Sequence, residues 1–410
     1  MMDNEYLAIG EELDPDEYLI CDYLVKSDLP IEVAGSRIAE EESTGTWTTP
    51  TTLTREIYER YGGKVVMAEG DRVRIGYPVV DFSGDIGKVP QILSIIAGNL
   101  FGLESLKKVR LEDIQIPKSI VKRYPGPRYG IKGLRELLNR PEKPLVGTIV
   151  KPKIGLPPKE FSEYVYEAGK GGLTNSKDDE TLVDQDFCPL EDRVIAVSEK
   201  LDLLKEEGHI MIHAINVSTN VHEILHAADI ALENGARQLM VDVLTVGFSG
   251  VQALAEDPSI KVPIHVHRAM HGAITKDPEH GISMPVLCKL VRMVGGDSFH
   301  IGTYGTGKMH ADISQELRSK DALIGEMHGL KKTIPVSSGG LHPGHMTKLM
   351  EKSGNDVQIQ AGGGVSGHPD GVRAGARAMI QAVDAAFQGI PLKKYSEDHI
   401  ELKKALERWG

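Results

Sequence analysis

Four consecutive charged residues, Lys177-Asp178-Asp179-Glu180, carry the sharpest chemical signal in the sequence. Alone, such a run reads as a solvated loop. On a strand, however, Lys177 and Asp179 point to the same side and Glu180 follows at the strand end, so two carboxylates and one amine converge. A hard cation such as Mg2+ is bound by oxygen, which the carboxylates provide and a lysine amine does not. The lysine needs chemical conversion before it can join them. Other reactive residues cluster as Lys151-Pro152-Lys153, as His267-Arg268-Ala269-Met270-His271, and as His300 followed by a glycine-rich stretch ending in Lys308. Ser337-Ser338-Gly339-Gly340 and Gly362-Gly363-Gly364 add two turns whose backbone N–H groups suit phosphate. One Gly-rich turn alone serves equally as a tight turn; two of them at successive strand ends favour phosphate. Arg268, His271 and His300 offer a second anion site, the arginine through its planar fork, so a doubly phosphorylated substrate fits. The same histidine cluster admits a rival, a zinc site from His265, His267 and His271, because His-x-His at a strand end resembles metallohydrolase barrels. No histidine closes the first strand, where such barrels begin theirs.

These clusters make sense only if one kind of element positions them all. Short apolar runs occur at Leu145 to Val150, Leu173 to Ser176, His209 to Ile215, Gln238 to Leu244, Pro263 to Val266, Ser298 to Ile301, Thr333 to Val336 and Val357 to Gln360. Helical patterns lie between them, among others at Leu190 to Lys205, Val221 to Asn234, Met284 to Val294, Asp312 to Leu330 and Gly371 to Gln388. Strand followed by helix, eight times, predicts an α/β fold with a C-terminal TIM (β/α)8 barrel, whose reactive residues gather at the C-terminal strand ends. Thr174-Asn175-Ser176 is polar for a barrel interior, and the second strand is assigned through its neighbours. Upstream, Tyr18 to Val25, Lys64 to Glu69 and Arg72 to Val80 read as strands and Lys88 to Ala97 as an amphipathic helix, a smaller α+β N-terminal domain. With Tyr124-Pro125-Gly126-Pro127 as the linker, the expected domains are residues 1–135 and 136–410.

The 410 residues, 40% of them hydrophobic, suffice for a barrel and a second domain. A net charge of −12 with interspersed signs offers no basic stripe for nucleic acid or anionic lipid. Three scattered cysteines, Cys21, Cys188 and Cys288, argue against a disulfide framework and for a reducing compartment. No signal segment and no run of about 18 apolar residues is present, so the expected location is cytoplasmic.

Gly171-Gly172 followed by Lys177-Asp178-Asp179-Glu180 resembles the activation motif of the large subunits of ribulose-1,5-bisphosphate carboxylase/oxygenase (RuBisCO), in which CO2 carbamylates the lysine. The resemblance implies that Lys177, as N6-carboxylysine, holds Mg2+ with Asp179 and Glu180, and that the carbamate removes the substrate's C3 proton. It further implies that Lys151 is the acid/base at C2 with Lys153 beside it. His267-Arg268-Ala269-Met270-His271 resembles the strand-five motif, with His267 in the catalytic set, and Ile301-Gly302-Thr303-Tyr304-Gly305-Thr306-Gly307-Lys308 resembles the mobile loop whose lysine orients CO2. Ser338, Gly339, Gly340, Gly362 and Gly363 match one phosphate's turns, and Arg268, His271 and His300 the other's partners. Glu41-Glu42-Ser43-Thr44-Gly45-Thr46-Trp47-Thr48-Thr49 and Gly98-Asn99-Leu100-Phe101-Gly102 resemble segments inserted into a neighbouring subunit's barrel, contributing Glu41, Thr46, Trp47 and Asn99. A homodimer or an assembly of dimers is therefore implied, without a small subunit. The length, the loop spacing and the ending Leu406-Glu407-Arg408-Trp409-Gly410 are closest to the archaeal form III branch, which implies a place in AMP metabolism.

Two departures stand out: Thr174-Asn175-Ser176 replaces a more apolar, Asp-containing stretch, and the long C-terminal latch of plant-type members is missing. The competing readings are a RuBisCO-like enolase or decarboxylase acting on a related sugar phosphate, and a silent sugar-phosphate-binding barrel. Retention of Lys308, Glu41, Thr46, Trp47 and both phosphate subsites favours the carboxylase/oxygenase, which acts on ribulose-1,5-bisphosphate with CO2 or O2.

Overall fold

A computed structural model describes residues 6–46, 48, 50–84, 86, 88–308 and 312–410. The chain divides into two compact units, one of Met1–Tyr124 with Met270–Leu290 and Glu326–Gly329, the other of Pro125–Ala269 with Val291–Gly325 and Leu330–Gly410. The division falls inside the Pro- and Gly-rich run that marks the linker in the sequence.

In the first unit, β1 (Tyr18–Lys26), β2 (Lys64–Glu69), β3 (Arg72–Pro78) and β4 (Lys108–Gln115) form an antiparallel sheet, joined at its edge by the two-residue parallel strand β10 (Gly281–Ile282), in the order β10-β4-β1-β3-β2. Along β1, Cys21, Tyr23 and Val25 turn inward while Asp22, Leu24 and Lys26 lie nearer the surface, the alternation of a half-buried strand. The helix Ile31–Glu41 covers the sheet through Ala34, Ile38 and Ala39. Gly35 lets it approach closely, since a Cβ there would sit 2.9 Å from Val73 Cγ1. The sequence reading missed this helix, β4 and β10; the lone Gly-Ile pair has no pattern of its own.

In the second unit, eight parallel strands among the described residues close into a barrel: β5 (Leu145–Ile149), β6 (Asn175–Lys177), β7 (Ile212–Asn216), β8 (Gln238–Asp242), β9 (Ile264–His267), β11 (Ser298–His300), β12 (Ile334–Ser338) and β13 (Gln358–Gln360), with β13 pairing back to β5. The TIM barrel and the N-terminal α+β unit are as the sequence predicts, and the observed strands sit at most three residues from the predicted bounds. Residues 125–135 belong to the barrel unit, because the helix Gly130–Leu137 caps the barrel's N-terminal end. Its Ile131 and Leu134, with Leu138, pack on Leu145, Ile212 and Ile334, the opening residues of β5, β7 and β12.

Asp297 fixes this cap. The N–H groups of Tyr129 and Gly130 donate to its Oδ1 at 2.7 and 2.8 Å, and the Ile264 N–H donates to Oδ2 at 2.9 Å. Each buried N–H left without an acceptor costs about 1–3 kcal/mol. Asp297→Ala is therefore expected to destabilise the fold by roughly 3 kcal/mol or more, read as a lowered urea midpoint; an unchanged midpoint would contradict this account of the cap.

Candidate active site

The barrel's C-terminal strand ends bring together most of the residues singled out in the sequence. β6 ends at Lys177, which pairs with Ile149 of β5 on one side and Ala214 of β7 on the other. Asp178 then turns away from Lys177 into a buried polar cluster. Its Oδ1 lies 2.8 Å from His213 Nε2, its Oδ2 accepts from Arg193 Nε at 3.2 Å and from the Asn216 N–H at 2.8 Å, and neither Asp178 nor Arg193 exposes any surface. Burial opposes the charge on Asp178, but Arg193, His213 and the Asn216 N–H outweigh it, and its carboxyl is held below the usual range. His213 Nδ1 lies 2.6 Å from Ser176 Oγ, so the polar residue of β6 is matched from the neighbouring strand.

With Asp178 turned away, Lys177, Asp179 and Glu180 meet on the other side. Lys177 is 1% exposed; its Nζ donates to the Asp178 carbonyl at 2.8 Å and lies 3.5 Å from Glu180 Oε2. Burial, helped by the positive charge of Lys151, pulls its amine below the ordinary lysine value against the opposing pull of Glu180 and Asp179. Asp179 accepts from Lys151 Nζ at 2.7 Å, and Lys153 Nζ lies 3.8 Å from Asp179 and 3.6 Å from Glu180. Glu180 is pushed up by burial, yet Lys177, His267 and Lys153 bring its carboxyl down to about 2. His267 Nε2 stands 3.6 Å from Glu180, and its Nδ1 lies 3.4 Å from Asp242 Oδ2, which also accepts the Ala269 N–H. Burial is the main influence on His267 and lowers it, so the ring is neutral.

The glycine turns flank this group. A Cβ on Gly362 would sit 3.0 Å from Lys151 Cε, so the turn after β13 lies against the lysine. The Lys308 N–H donates to the Gly339 carbonyl at 3.0 Å, which docks the exposed Lys308 on the turn after β12. Gly340 has φ +78°, and a Cβ on it would come within 2.6 Å of Lys308 Cγ. Ser338 ends β12, with its Oγ 2.7 Å from His300 Nδ1. His300 is buried and its Nε2 lies 2.8 Å from His265 Nε2, so both of its ring nitrogens are engaged inside the barrel. Arg268 follows β9, and its charge acts on the His300 ring.

His271 belongs to the 270–290 segment of the first unit, where its Nδ1 lies 2.9 Å from Thr275 Oγ1. The zinc reading fails on this geometry. His265 has both ring nitrogens committed, to Ser298 and His300, and among the described residues no three His, Cys, Asp or Glu side chains converge as a metal site. The same fact tests the Mg2+ reading. Asp179 and Glu180 supply two oxygen arms and the third position is held by the Lys177 amine, so the set fits a hard cation once that amine carries a carboxylate.

In the first unit, Glu41 and Asn99 meet, the Asn99 side-chain amide donating to Glu41 Oε1 at 3.0 Å. Glu42 braces them by accepting the Gly98 and Leu100 N–H groups at 2.9 and 2.7 Å. Thr46 lies five residues beyond Glu41, and Trp47 is outside the described residues. Sequence reasoning missed the supports Arg193, His213, Asn216, Asp242 and Glu42; the available signal was a charged or polar residue inside an apolar strand run, as at His213 and Asp242.

Fold and site together define a two-unit TIM-barrel enzyme with an amine set among carboxylates at the C-terminal end of the barrel. Comparison with known proteins gives the family. The model of the ribulose bisphosphate carboxylase large chain catalytic domain matches residues 130–409 and that of the N-terminal domain residues 8–120. The chain is 40% identical to the ribulose bisphosphate carboxylase of Methanocaldococcus jannaschii, over 99% of this chain and 100% of that one, and 39% identical to that of Pyrococcus furiosus, over 96% and 94%. It is also similar to the octameric Rubisco of Pyrococcus horikoshii (TM-score 0.93, 36% identity, covering 100% of this chain and 97% of that one) and to the dimeric archaeal Rubisco of Hyperthermus butylicus (TM-score 0.90, 35% identity, 100% of both). The chain belongs to the ribulose bisphosphate carboxylase large-chain family.

Removing Asp178 leaves the Arg193 charge buried without its partner, which typically costs about 3–5 kcal/mol. Asp178→Ala is therefore expected to lower chemical-denaturation stability by that order. Because the native carboxyl is depressed, its contribution is present above the ordinary carboxylate value and is lost as pH falls through the native one. The stability gap between wild type and variant should accordingly narrow in acid; a constant gap down to the lowest measurable pH would refute the assignment.

Proposed function

We propose that this chain is a ribulose-1,5-bisphosphate carboxylase/oxygenase that enolises its substrate and adds CO2 to give two molecules of 3-phosphoglycerate, or O2 to give one with 2-phosphoglycolate. The observation that carries the reading is the buried Lys177 amine set between Glu180 and Asp179, with Lys151 on the far side of Asp179. A lysine of ordinary basicity is almost wholly protonated at neutral pH and cannot attack CO2. Burial shifts Lys177 toward the neutral amine, whose lone pair is the nucleophile. The nitrogen then bonds to the carbon of CO2, one N–H proton leaves to solvent, and the side chain becomes an anionic carbamate. Mg2+ would be held by that carbamate with Asp179 and Glu180, and when bound supplies a positive Lewis acid to the substrate oxygens.

The remaining roles are those the family resemblance implies, set on this geometry. The carbamate oxygen takes the C3 proton. Lys151, oriented by Asp179, manages the proton at C2. His267 is a neutral proton acceptor beside Glu180, held by Asp242. Lys308, docked on Gly339, presents its ammonium to the nascent carboxylate. Ser338, Gly339 and Gly340 with Gly362 and Gly363 serve one phosphate and Arg268 with His271 the other, while His300, whose ring nitrogens face His265 and Ser338, acts through Ser338. Glu41, Thr46, Trp47 and Asn99 complete the site of a second copy, which makes a homodimer the smallest active assembly. The octameric and dimeric states of the similar archaeal structures support an assembly of dimers, for which we expect no small subunit. The relatives from Methanocaldococcus and Pyrococcus support placement in the archaeal branch; the form III assignment and a substrate drawn from AMP breakdown rest on the sequence resemblance. Among the described residues no helix is long and apolar enough to cross a membrane, and we place the enzyme in the cytoplasm.

Protein preincubated anaerobically with bicarbonate and Mg2+ and then given ribulose-1,5-bisphosphate is expected to fix labelled CO2 into acid-stable 3-phosphoglycerate, with either activator indispensable. Loss of the substrate's C3 proton without fixation would identify an enolase instead. Lys177→Ala is expected to abolish both enolisation and fixation. Lys308→Ala should retain C3 proton exchange while fixation falls by about 10²-fold or more; equal loss of both steps would overturn this division of labour.

A further inference from the structure

Four side chains form a hydrogen-bonded chain across the barrel interior. Ser298 Oγ of β11 lies 2.7 Å from His265 Nδ1 of β9, His265 Nε2 lies 2.8 Å from His300 Nε2 of β11, and His300 Nδ1 lies 2.7 Å from Ser338 Oγ of β12. The two rings meet edge to face, with centroids 4.9 Å apart at 86°. Ser298, His265 and His300 are buried, and only Ser338 reaches the half-exposed rim among the glycine turns. Burial pushes both imidazoles well below their ordinary value. Both rings are therefore neutral.

A neutral imidazole has one N–H and one lone pair. The contact between the two Nε2 atoms then requires one ring to donate and the other to accept, and this choice fixes every other bond in the chain. In one polarity Ser338 gives its proton inward to His300 Nδ1 and shows only lone pairs to the site. In the other, Ser298 donates to His265 Nδ1, His265 Nε2–H to His300 Nε2, and His300 Nδ1–H to Ser338, whose own O–H is released outward. An anion accepts donors only. We propose that His265 is a positioning residue: by donating to His300 Nε2 it holds His300 as the Nδ1–H tautomer and turns the Ser338 hydroxyl into a donor for an anionic group of the substrate. This deepens the proposed function and rests on its placing of a phosphorylated substrate beside Ser338.

Proton positions decide the matter without turnover. Neutron diffraction from deuterium-exchanged crystals of the intact protein soaked in inorganic phosphate is expected to show phosphate at Ser338 and deuterium on His300 Nδ1 and His265 Nε2. Deuterium on His300 Nε2, or no phosphate at Ser338, overturns the proposal. Steady-state kinetics gives a second reading. His265→Leu leaves His300 Nε2 buried without a donor and should raise KM for ribulose-1,5-bisphosphate about tenfold, with kcat within about threefold. His265→Gln, whose amide donates to His300 while its oxygen accepts from Ser298, should bring KM back to within about threefold of wild type. Equal effects of the two variants, or no change of KM in either, would contradict the proposal. Protein that fails to turn over ribulose-1,5-bisphosphate overturns the functional reading, and the phosphate-soaked crystals still settle the chain's polarity.

Discussion

The geometry of the candidate site depends on one buried charge. Asp178, with no exposed surface, sits where Arg193, His213 and the Asn216 N–H all meet it. A lone carboxylate in that position would carry a desolvation cost of several kcal/mol. Such a charge survives only with its partners in place, so the turn after β6 has one arrangement. Adjacent residues on an extended backbone face opposite ways, and fixing Asp178 toward Arg193 fixes Lys177 and Asp179 toward the barrel mouth. Buried ion pairs are weak evidence for stability but can specify geometry. Here the specified geometry is the one that places the amine among the carboxylates.

The chemistry then turns on a competition. Two carboxylates near Lys177 favour the ammonium, each by about 4 kcal/mol at 4 Å and an effective dielectric of about 20. Burial and the neighbouring Lys151 ammonium oppose them and win. Lys151 can oppose effectively because Asp179 holds it at 2.7 Å, dividing that carboxylate's attraction between two lysines. Glu180 is likewise shared among Lys177, Lys153 and His267, at 3.5 to 3.6 Å. The same neighbours hold the Glu180 carboxyl low, and burial makes Lys177 the weak base of the set. On the proposed function, that set gains a third negative group, the carbamate.

What the sequence discloses follows from what is local. The eight strand runs and the reactive residues at their ends are patterns of a few residues, and they predict the barrel and its mouth. The helix Ile31–Glu41 and β4 escaped because their periodicity is diluted by charged residues such as Glu32, Arg37, Arg110 and Glu112. β10 escaped because two residues carry no period. The motif His267 to His271 looked like one cluster, yet His267 and Arg268 belong to the barrel unit and His271 to the other. The supports of the site were illegible for a different reason: Arg193 lies 15 residues from Asp178 and His213 lies 35 away. A polar residue in an apolar run, such as His213, signals that a partner exists, but not which residue that partner is.

The polar stretch Thr174-Asn175-Ser176 shows the same limit from the other side. By propensity it argues against a strand. In the barrel each side chain meets a specific partner: Thr174 Oγ1 lies 3.1 Å from both the Val146 N–H and the Val146 carbonyl, Asn175 Oδ1 accepts from Thr174 Oγ1 at 3.2 Å, and Ser176 is matched by His213. Across the barrel, Ser298, His265 and His300 repeat the arrangement on β9 and β11. An apolar interior would have packed as well, but it could transmit nothing about hydrogen-bond direction or charge to the strand ends. Where neighbouring strands match such groups, as Ser176 with His213 and His265 with His300, the hydrogen bonds fix rotamers and ring orientation as well as register, directly beneath the residues whose protonation states matter most.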